Sequence, residues 1–290
     1  MTNGQLKNKR SNGKDDSQNG DNKLARSTSS TNDSLCSNSN ESTNQRDSFS
    51  AVKVEELWRT WSDIITGWAQ YAKKQNYIRD LMVQHCGIPE HFRPLAWQLL
   101  AFSTNPEPHA ALLTLREQYA QLSRQTSSHE KAIKRDVQRT YPEHPFFQSE
   151  DNQMSLFSII KAYSLYDKEV GYCQGSAFLA GLLLMQNLPE EDAFCVLVQL
   201  MQRPHLRLRD LYKPTMSELS LRIFLLERCL EEHLPRLYEH LMAQGVHLST
   251  FATQWFLTLF AAVLPLSLSA VVMDLFLVNV NSTLATLFFR

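Results

Sequence analysis

The amino-acid sequence predicts an all-α fold that follows a polar, disordered tail. From about residue 52 onward, apolar side chains recur at three- and four-residue steps, which is the spacing of an amphipathic helix. Prolines lie between these periodic segments or at their ends, where helices begin and stop. No convincing run alternates polar and apolar residues with a period of two, so strands are not expected.

The composition limits both the size of the core and the choice of partners. The chain has 290 residues, of which 43% are hydrophobic and 20% charged, enough for one sizeable core but too few for three domains. Lys and Arg total 29 against 30 Asp and Glu, which gives a net charge of -1. With no overall field toward nucleic acid or an anionic membrane, any partner must be recognised locally. The five cysteines are scattered and none pair as Cys-x-x-Cys, which favours reduced thiols over disulfides or a metal site.

Residues 1–50 form the predicted tail. Ser, Asn, Asp, Gly, Lys and Thr dominate this segment, and large apolar side chains are rare. Such a segment cannot bury enough surface to offset the conformational entropy lost on folding, so we expect it to be disordered. The run from Ser27 to Ser50 offers hydroxyls for phosphorylation, and a solvated tail with no specific role is the alternative.

Residues 51–86 are predicted to form an N-terminal helical extension. The first helix, within residues 54–68, carries five apolar residues on one face: Leu57, Trp61, Ile64, Ile65 and Trp68. A second helix is expected from Asn76 to His85, because Gly87 and Pro89 break the pattern after it.

Seven further helices are predicted downstream, separated by loops that contain several prolines. Their expected bounds are Glu90–Phe102, His109–Arg124, Ser128–Thr140, Met154–Asp167, Ser176–Gln186, Glu190–Met201 and Ser217–His233. The segment 249–273 has no charged residue and is long enough to span a bilayer, so a transmembrane helix is one interpretation. Pro265 interrupts this segment, and two shorter buried helices joined at Pro265 explain the pattern as well.

Three short blocks carry the candidate chemistry. Residues 87–97 read Gly-Ile-Pro-Glu-His-Phe-Arg-Pro-Leu-Ala-Trp, residues 133–142 read Ile-Lys-Arg-Asp-Val-Gln-Arg-Thr-Tyr-Pro, and residues 171–175 read Gly-Tyr-Cys-Gln-Gly. Each block alone is a weak signal, since an Arg in a helix and a Gln-Gly pair are both common. In this order and spacing within one helical chain, the blocks resemble the signature of Tre-2/Bub2/Cdc16 (TBC) domains.

The resemblance covers roughly residues 54–277 and looks like the Evi (ecotropic viral integration site) branch of the family. It implies a multi-helix TBC domain over residues 87–290, in which the recognisable part ends near residue 277. The sequence after that point does not resemble the family's continuation, so we expect an incomplete C-terminal half without the branch's coiled-coil dimerisation segment. Helices between residues 217 and 273 would then expose an apolar surface.

The resemblance also implies a function, that of a GTPase-activating protein for a Rab-type small GTPase in vesicle traffic. Such a partner hydrolyses GTP slowly alone, because charge on the phosphoryl oxygens is poorly neutralised and the attacking water is loosely held. The family supplies an arginine finger and a glutamine finger in trans, and by motif these are Arg139 and Gln174. A guanidinium suits phosphate oxygens, and a carboxamide can accept from the water while it donates to the phosphate.

Two residues of the second block are expected to support the arginine finger. Asp136 lies three residues before Arg139, so it either steadies the guanidinium or forms an ordinary surface pair. Ile133 is expected to pack and to anchor the helix. Without the blocks around it, Arg139 in the last turn of a helix would be an ordinary solvated residue favoured by the helix dipole.

The other two blocks contribute residues with expected structural roles. Tyr172 is expected to pack, and Gly175 to allow a close approach of the backbone at the start of a helix, where free N–H groups favour anions. Cys173 is expected to be a small buried hydrophobic residue rather than a nucleophile. Arg93 and Trp97, at i and i+4, look structural, and stacking of the guanidinium on the indole is one arrangement that their spacing allows.

The resemblance implies that this activator, which is not a free-standing enzyme, needs no cofactor, since its Rab partner carries GTP and Mg²⁺. No nucleic-acid partner and no integral membrane anchor are expected. The implied location is cytoplasmic, or peripheral on endosomal or Golgi membranes through the Rab partner. Two alternatives stay open at this point. One is a shortened, catalytically impaired or dominant-negative Rab-binding module, and the other is a membrane-anchored protein that uses residues 249–273.

Overall fold

Helices make up all the regular structure in the computed structural model, which describes residues 54–203 and 208–278. No strand occurs within these two ranges. The prediction of an all-α fold is therefore confirmed. The predicted disordered tail lies outside the described residues, as do residues 279–290, where the expected departure from the family falls.

The helices are numbered in chain order. Helix α1 covers residues 54–66, and the first half of the chain continues with α2 (Trp68–Tyr71), α3 (Gln75–Gln84), α4 (Arg93–Ala101), α5 (Pro108–Leu122), α6 (Glu130–Arg139) and α7 (Glu150–Tyr166). The second half contains α8 (Ser176–Met185), α9 (Glu190–Gln202), α10 (Leu208–Leu211), α11 (Ser217–His233), α12 (Pro235–Ala243), α13 (Ser249–Thr258) and α14 (Leu266–Leu277). Short 3-10 helices, Glu90–Phe92 and Pro145–Gln148, precede α4 and α7.

The predicted helices all occur, with ends shifted by about one turn at most. Three observed helices are missing from the prediction, namely α2, α10 and α12. Helices α2 and α10 have four residues each, too few for a periodic pattern to show in the sequence. Helix α12 contains no buried residue, so it contributes little to the core.

Helices α7, α8 and α9 form the centre of the molecule and pack against one another. In α8 every residue except Phe178 is buried, which agrees with the uninterrupted apolar sequence of this helix. Helix α6 packs on α7, and α13 packs on α8. This packing places α6 and α13 outside the central helices and close to the N-terminal end of α8.

The uncharged segment 249–273 is divided between α13 and α14. Leu259 and Phe260, just after α13, adopt left-handed backbone conformations with φ of 47° and 63°. Pro265 then lies immediately before α14. Of the two interpretations of this segment, the structure agrees with two shorter helices. Among the described residues, no helix is both long enough and apolar enough to cross a membrane.

An apolar surface is exposed on α11 and α12, within the region where the sequence analysis expects one. Its exposed large side chains are Leu221, Phe224, Leu234 and Leu237. The main contacts of helix α11 are with α10, α12 and α13.

Candidate functional site

The end of helix α6 presents the arginine that the second block singles out. Arg139 is the last residue of α6, and its side chain is 50% exposed. On the opposite face of the helix, Ile133 and Val137 are buried in the core. Because this apolar face fixes the rotation of α6, Arg139 is directed away from the core.

Asp136 forms an ion pair with Arg139 on the same helix. Its Oδ1 accepts hydrogen bonds from Nε and from one terminal nitrogen of the guanidinium. The Asp136 side chain is only 7% exposed, whereas that of Arg139 is half exposed. The second carboxylate oxygen, Oδ2, is buried and has no hydrogen-bond partner within the described residues. The guanidinium is therefore oriented from its inner side and open to solvent on its outer side.

The residues after Arg139 fix where α6 ends. Thr140 donates from Oγ1 to the carbonyl of Asp136 at 2.7 Å. Tyr141 donates from its hydroxyl to the carbonyl oxygens of Phe178 at 3.1 Å and Ala261 at 3.0 Å. Burial raises the pKa of Tyr141 above its ordinary value, so the hydroxyl stays protonated and available as a donor. These bonds join the end of α6 to α8 and to the turn after α13.

The loop of residues 167–175 carries the second predicted finger. Gln174 is exposed at the end of this loop, while Cys173 beside it is buried. Ser176 donates from Oγ to the carbonyl of Cys173 at 2.9 Å, which closes the loop onto the start of α8. Burial, with a smaller contribution from the charge of Asp136, raises the pKa of the Cys173 thiol to about 11. The thiol is therefore protonated near neutral pH, as expected of a buried hydrophobic residue.

Gly175 precedes α8 and allows the chain to turn into it. Its φ of 102° lies in the left-handed region, which a residue with a side chain rarely adopts. A Cβ at this position would lie 3.6 Å from Leu257 Cβ and 3.6 Å from Thr258 Cγ2, which are ordinary contacts. Within this chain the glycine is thus needed for its backbone conformation, and the close backbone approach expected from the sequence remains a prediction.

Tyr172 packs, as expected. It is half-buried, and its ring centroid lies 6.2 Å from that of His129. Its hydroxyl is buried and has no hydrogen-bond partner among the described residues.

Arg139 and Gln174 line the same open cleft, whose volume is about 440 Å³. Asp136 and Gly175 also line the cleft. The remaining wall consists of Phe178 from α8 and five residues of α13: Thr250, Thr253, Gln254, Leu257 and Thr258. Among the described residues that line the cleft, Arg139 is the only one with a positive charge. The site therefore offers one oriented cation and exposed carboxamides to a ligand that enters from solvent.

The sequence analysis misses the α13 wall. Thr253 and Gln254 follow Thr250 by three and four residues, so they share one face of α13 with it. In an otherwise apolar segment, that polar stripe is the signal that predicts an exposed face. Its proximity to Gln174 arises from the packing of α13 on α8, which no local pattern reports.

Arg93 and Trp97 lie outside the cleft and meet at one buried carboxylate. Arg93 donates from Nε to Asp274 Oδ2 at 3.3 Å, and Trp97 donates from Nε1 to Asp274 Oδ1 at 2.6 Å. The backbone N–H of Ile88 also donates to Oδ2, at 2.8 Å. The two side chains are thus structural, as expected. They are linked by hydrogen bonds to Asp274 in α14, and not by the stacking that their spacing also allows.

Gly87 is required for this cluster. It has a φ of 106°, and a Cβ there would lie 2.6 Å from Asp274 Oδ2, which is too close for any side chain. Burial raises the pKa of Asp274 to about 6, although the charge of Arg93 and the three donors act in the opposite direction. The carboxylate is therefore ionised at neutral pH and paired with Arg93.

The described residues contain no group of three or more His, Cys, Asp or Glu side chains that could bind a metal ion. Cys86, Cys173, Cys195 and Cys229 are all free thiols. Neither finding tests the expectation that the chain needs no cofactor, which remains a prediction.

Comparisons with known proteins agree with the resemblance inferred from the three blocks. The sequence profile of the Rab-GTPase-TBC domain matches residues 90–289. The ecotropic viral integration site 5 protein homolog of Homo sapiens is 46% identical over 226 residues, which are 77% of this chain and 26% of that protein. The Rab GTPase-activating protein eat-17 of Caenorhabditis elegans is 48% identical over 227 residues, 78% of this chain and 24% of that protein. The chain thus spans about a quarter of the length of these relatives.

Two solved structures share the fold. The crystal structure of the Ypt/Rab-GAP domain of Gyp1p superposes with a TM-score of 0.60 at 21% identity, and the match covers 70% of this chain and 74% of that one. A flagellar RabGAP TBC domain from Chlamydomonas superposes with a TM-score of 0.53 at 24% identity, covering 77% of this chain and 79% of that one. At these identities, the likeness establishes the helical architecture alone.

Proposed function

The chain belongs to the Rab-GTPase-TBC domain family, and on this premise we propose that it activates GTP hydrolysis by a Rab-type small GTPase. Arg139 and Gln174 act in trans on the GTP that the partner holds. The name of the Caenorhabditis elegans relative, a Rab GTPase-activating protein, supports the activity. The role places the chain's action in vesicle traffic, and the partner, in its GTP state, brings both the nucleotide and Mg²⁺.

The shared cleft is the observation that carries this proposal. Two side chains with the required chemistry, one guanidinium and one carboxamide, come from separate elements and line one opening. Both are exposed, so a nucleotide held by another molecule can reach them without unfolding any part of the chain. A GTPase-activating protein needs this arrangement, because its reacting atoms all arrive with the partner.

Arg139 neutralises the charge that develops on the phosphoryl oxygens. A guanidinium has five N–H donors, and the pair with Asp136 uses only its inner side, through Nε and one terminal nitrogen. The remaining donors are available to phosphate oxygens, while Asp136 limits the number of rotamers that the arginine explores before docking. An arginine finger contributes on the order of 10³ to 10⁵ in rate, or roughly 4 to 7 kcal/mol.

Gln174 orients the attacking water. Its carboxamide oxygen accepts a hydrogen bond from the water, and its NH₂ group donates to a phosphate oxygen. The neighbouring residue Gly175 precedes α8, and the dipole of this helix adds a weak positive potential. Both contributions act on groups that the partner supplies, so the cleft stabilises a transition state that the partner cannot stabilise alone.

A covalent nucleophile from this chain is not part of the mechanism. The Cys173 thiol beside Gln174 has a pKa that burial raises to about 11, so it is poorly suited to attack at neutral pH. Hydrolysis in this class of proteins depends on positioning and on charge stabilisation. The cleft offers these two effects through Gln174 and Arg139.

The test is a hydrolysis assay with a panel of purified Rab GTPases loaded with radiolabelled GTP. We expect the chain to accelerate phosphate release from at least one of them, and a variant with both Arg139→Ala and Gln174→Ala to lose that acceleration. If no Rab responds to a chain that circular dichroism shows to be helical, the proposal is wrong. Capture of a GTP-loaded Rab without acceleration would instead support the alternative of a binding module.

A further inference from the structure

Arg209 links helix α10 to the loop of residues 167–175, which carries Gln174. Arg209 donates from one terminal nitrogen to Asp167 Oδ1 at 2.8 Å and to Glu169 Oε2 at 2.6 Å. Its Nε donates to the other carboxylate oxygen of Asp167. The fork of the guanidinium thus grips Asp167 in a bidentate way, which restrains both the distance and the orientation of the carboxylate.

Asp167 is the first residue of this loop and accepts hydrogen bonds from later loop residues. Its Oδ1 accepts from the backbone N–H of Val170 at 3.2 Å, and its carbonyl accepts from the N–H of Gly171 at 2.7 Å. Burial by itself would raise the pKa of Asp167, but the hydrogen bonds from Arg209 and Val170 outweigh it and the pKa lies below its ordinary value. The side chain is 9% exposed, so water contributes little to the stability of this charge and Arg209 contributes most.

Helix α10 and the residue after it also contact α13, which lines the cleft. Tyr212, just after α10, donates from its hydroxyl to the carbonyl of Leu257 in α13. Leu208 and Leu211 of α10 are buried, so the helix is fixed in the core between these two contacts. Leu257 lines the cleft and Asp167 begins the loop that carries Gln174, so the α10 segment contacts two elements of the site.

We propose that Arg209 is a positioning residue for Gln174: by binding Asp167 and Glu169 it holds the 167–175 loop so that the carboxamide lines the cleft together with Arg139. This inference rests on the proposed function and identifies how the fold presents the second finger. The later part of the loop is already held by the burial of Cys173 and by its bond from Ser176. The earlier part is held by the burial of Val170 and by Asp167, whose carboxylate is oriented by Arg209.

The network offers a matched control. Lys213 pairs with Glu169 at 3.5 Å and with Asp210 at 2.8 Å, so it belongs to the same charged surface but does not bind Asp167. Removal of Lys213 changes the net charge by the same amount as removal of Arg209 and leaves the clamp on Asp167 in place. The two variants therefore separate the effect of charge from that of position.

The experiment measures kcat and KM for stimulated GTP hydrolysis by a responsive Rab with Arg209→Ala, Arg209→Lys and Lys213→Ala. Because displacement of a catalytic group by about 1 Å can cost up to 10²-fold in rate, we expect Arg209→Ala to lower kcat at least about tenfold. We expect KM to change by less than about twofold, since partner contacts elsewhere are intact. Lys213→Ala should match the wild type, and Arg209→Lys should lie between, because an ammonium keeps the charge but lacks the fork.

A double-variant cycle tests whether Arg209 acts through Gln174. In a Gln174→Ala background, Arg209→Ala should cause little further loss of kcat, because the group that it positions is already absent. An equal loss of kcat in both backgrounds would overturn the inference, as would an Arg209→Ala variant with wild-type kcat. If Gln174→Ala alone has no effect, the proposed role of Gln174 fails as well, so the two failures are distinguishable. Should Arg209→Ala not fold, the same cycle with Arg209→Lys decides.

Discussion

Two arginines of the sequence blocks, Arg93 and Arg139, each pair with an aspartate, and the two pairs differ in burial and in the separation of the partners along the chain. Arg93 and Asp274 are 181 residues apart, and their side chains are 10% and 0% exposed. Arg139 and Asp136 are three residues apart on one helix, and their side chains are 50% and 7% exposed. The first pair joins two distant elements, whereas the second holds one side chain at the mouth of a cleft.

The difference shows that the degree of burial separates a structural arginine from one that can contact a partner. In the Asp274 cluster, Arg93 also donates to Gln186 at 3.2 Å, and Trp97 and Ile88 complete the set of donors around the carboxylate. A guanidinium that is enclosed in this way stabilises the folded structure and cannot contact a partner. At the cleft only the aspartate is buried, so the arginine is oriented without being enclosed. The predictions below test this division from the largest expected effect to the smallest.

Arg139→Ala should cause the largest loss of activity. We expect the stimulated rate of GTP hydrolysis to fall by about 10³-fold or more, because an arginine finger contributes at least that much. Stability should fall by about 1 to 3 kcal/mol, because the buried Asp136 carboxylate loses its ionic partner. Arg135→Ala, an exposed arginine on the same helix, is the control and should retain wild-type rates. A similar loss of rate in both variants would contradict the assignment.

Asp274→Ala should cause the largest loss of stability. The change leaves the Arg93 charge without its buried partner and removes the acceptor for Trp97 Nε1 and Ile88 N–H. Breaking a buried pair in this way costs about 3 to 5 kcal/mol, which urea denaturation followed by circular dichroism would measure. If the free energy of unfolding changes by less than 1 kcal/mol, on the order of a surface pair, the cluster is not the structural link that we describe.

The same aspartate should make stability depend on pH. Its pKa is raised from 3.8 to about 6 in the folded chain, so the folded state binds the proton more tightly than the unfolded state does. This contribution to the free energy of unfolding is complete below about pH 4 and is lost as the pH rises through 6, with a total of about 3 kcal/mol. The difference between wild type and Asp274→Asn, measured by urea denaturation from pH 4 to pH 7, isolates it. A difference that stays constant over this range would exclude the effect.

Asp136→Asn should have the smallest effect, and on activity rather than on the fold. The amide keeps the size of the side chain and one acceptor for Arg139, but it weakens the bond that limits the motion of the guanidinium. We expect kcat to fall by about tenfold with little change in KM, as for a loss of positioning. A wild-type kcat would mean that Asp136 forms only an ordinary surface pair.

The comparison also indicates what could be predicted from the sequence. Arg139 and Gln174 are identifiable because each lies in a short block, and Ile133 because a helical period points it inward. The bonds of Arg93 and Trp97 to Asp274 cross about 180 residues of chain, a distance that local patterns do not report. The helices of the core follow from apolar periodicity, while one-turn helices such as α10 have too few residues to produce a period.

Contacts between elements account for the rest of what the sequence does not predict. The α13 wall faces Gln174 only because α13 packs on α8. Arg209 looks like an ordinary surface arginine until α10 is seen beside Asp167. Gly175 belongs to a sequence block, but its φ of 102° is visible only in the backbone. Sequence patterns therefore identify the chemical groups, and tertiary packing determines which of them meet.

The most direct test is the affinity for a transition-state analogue. In a responsive Rab loaded with GDP and aluminium fluoride, the fluoride complex resembles the phosphoryl group in the transition state. Transition-state analogues bind at least about 10²-fold more tightly than ground states where catalytic groups contact them. We predict that the wild-type chain binds this complex far more tightly than Rab with GDP alone, and that Arg139→Ala or Gln174→Ala each removes most of the preference. If both variants keep the full preference, Arg139 and Gln174 do not act on the nucleotide and the account is wrong.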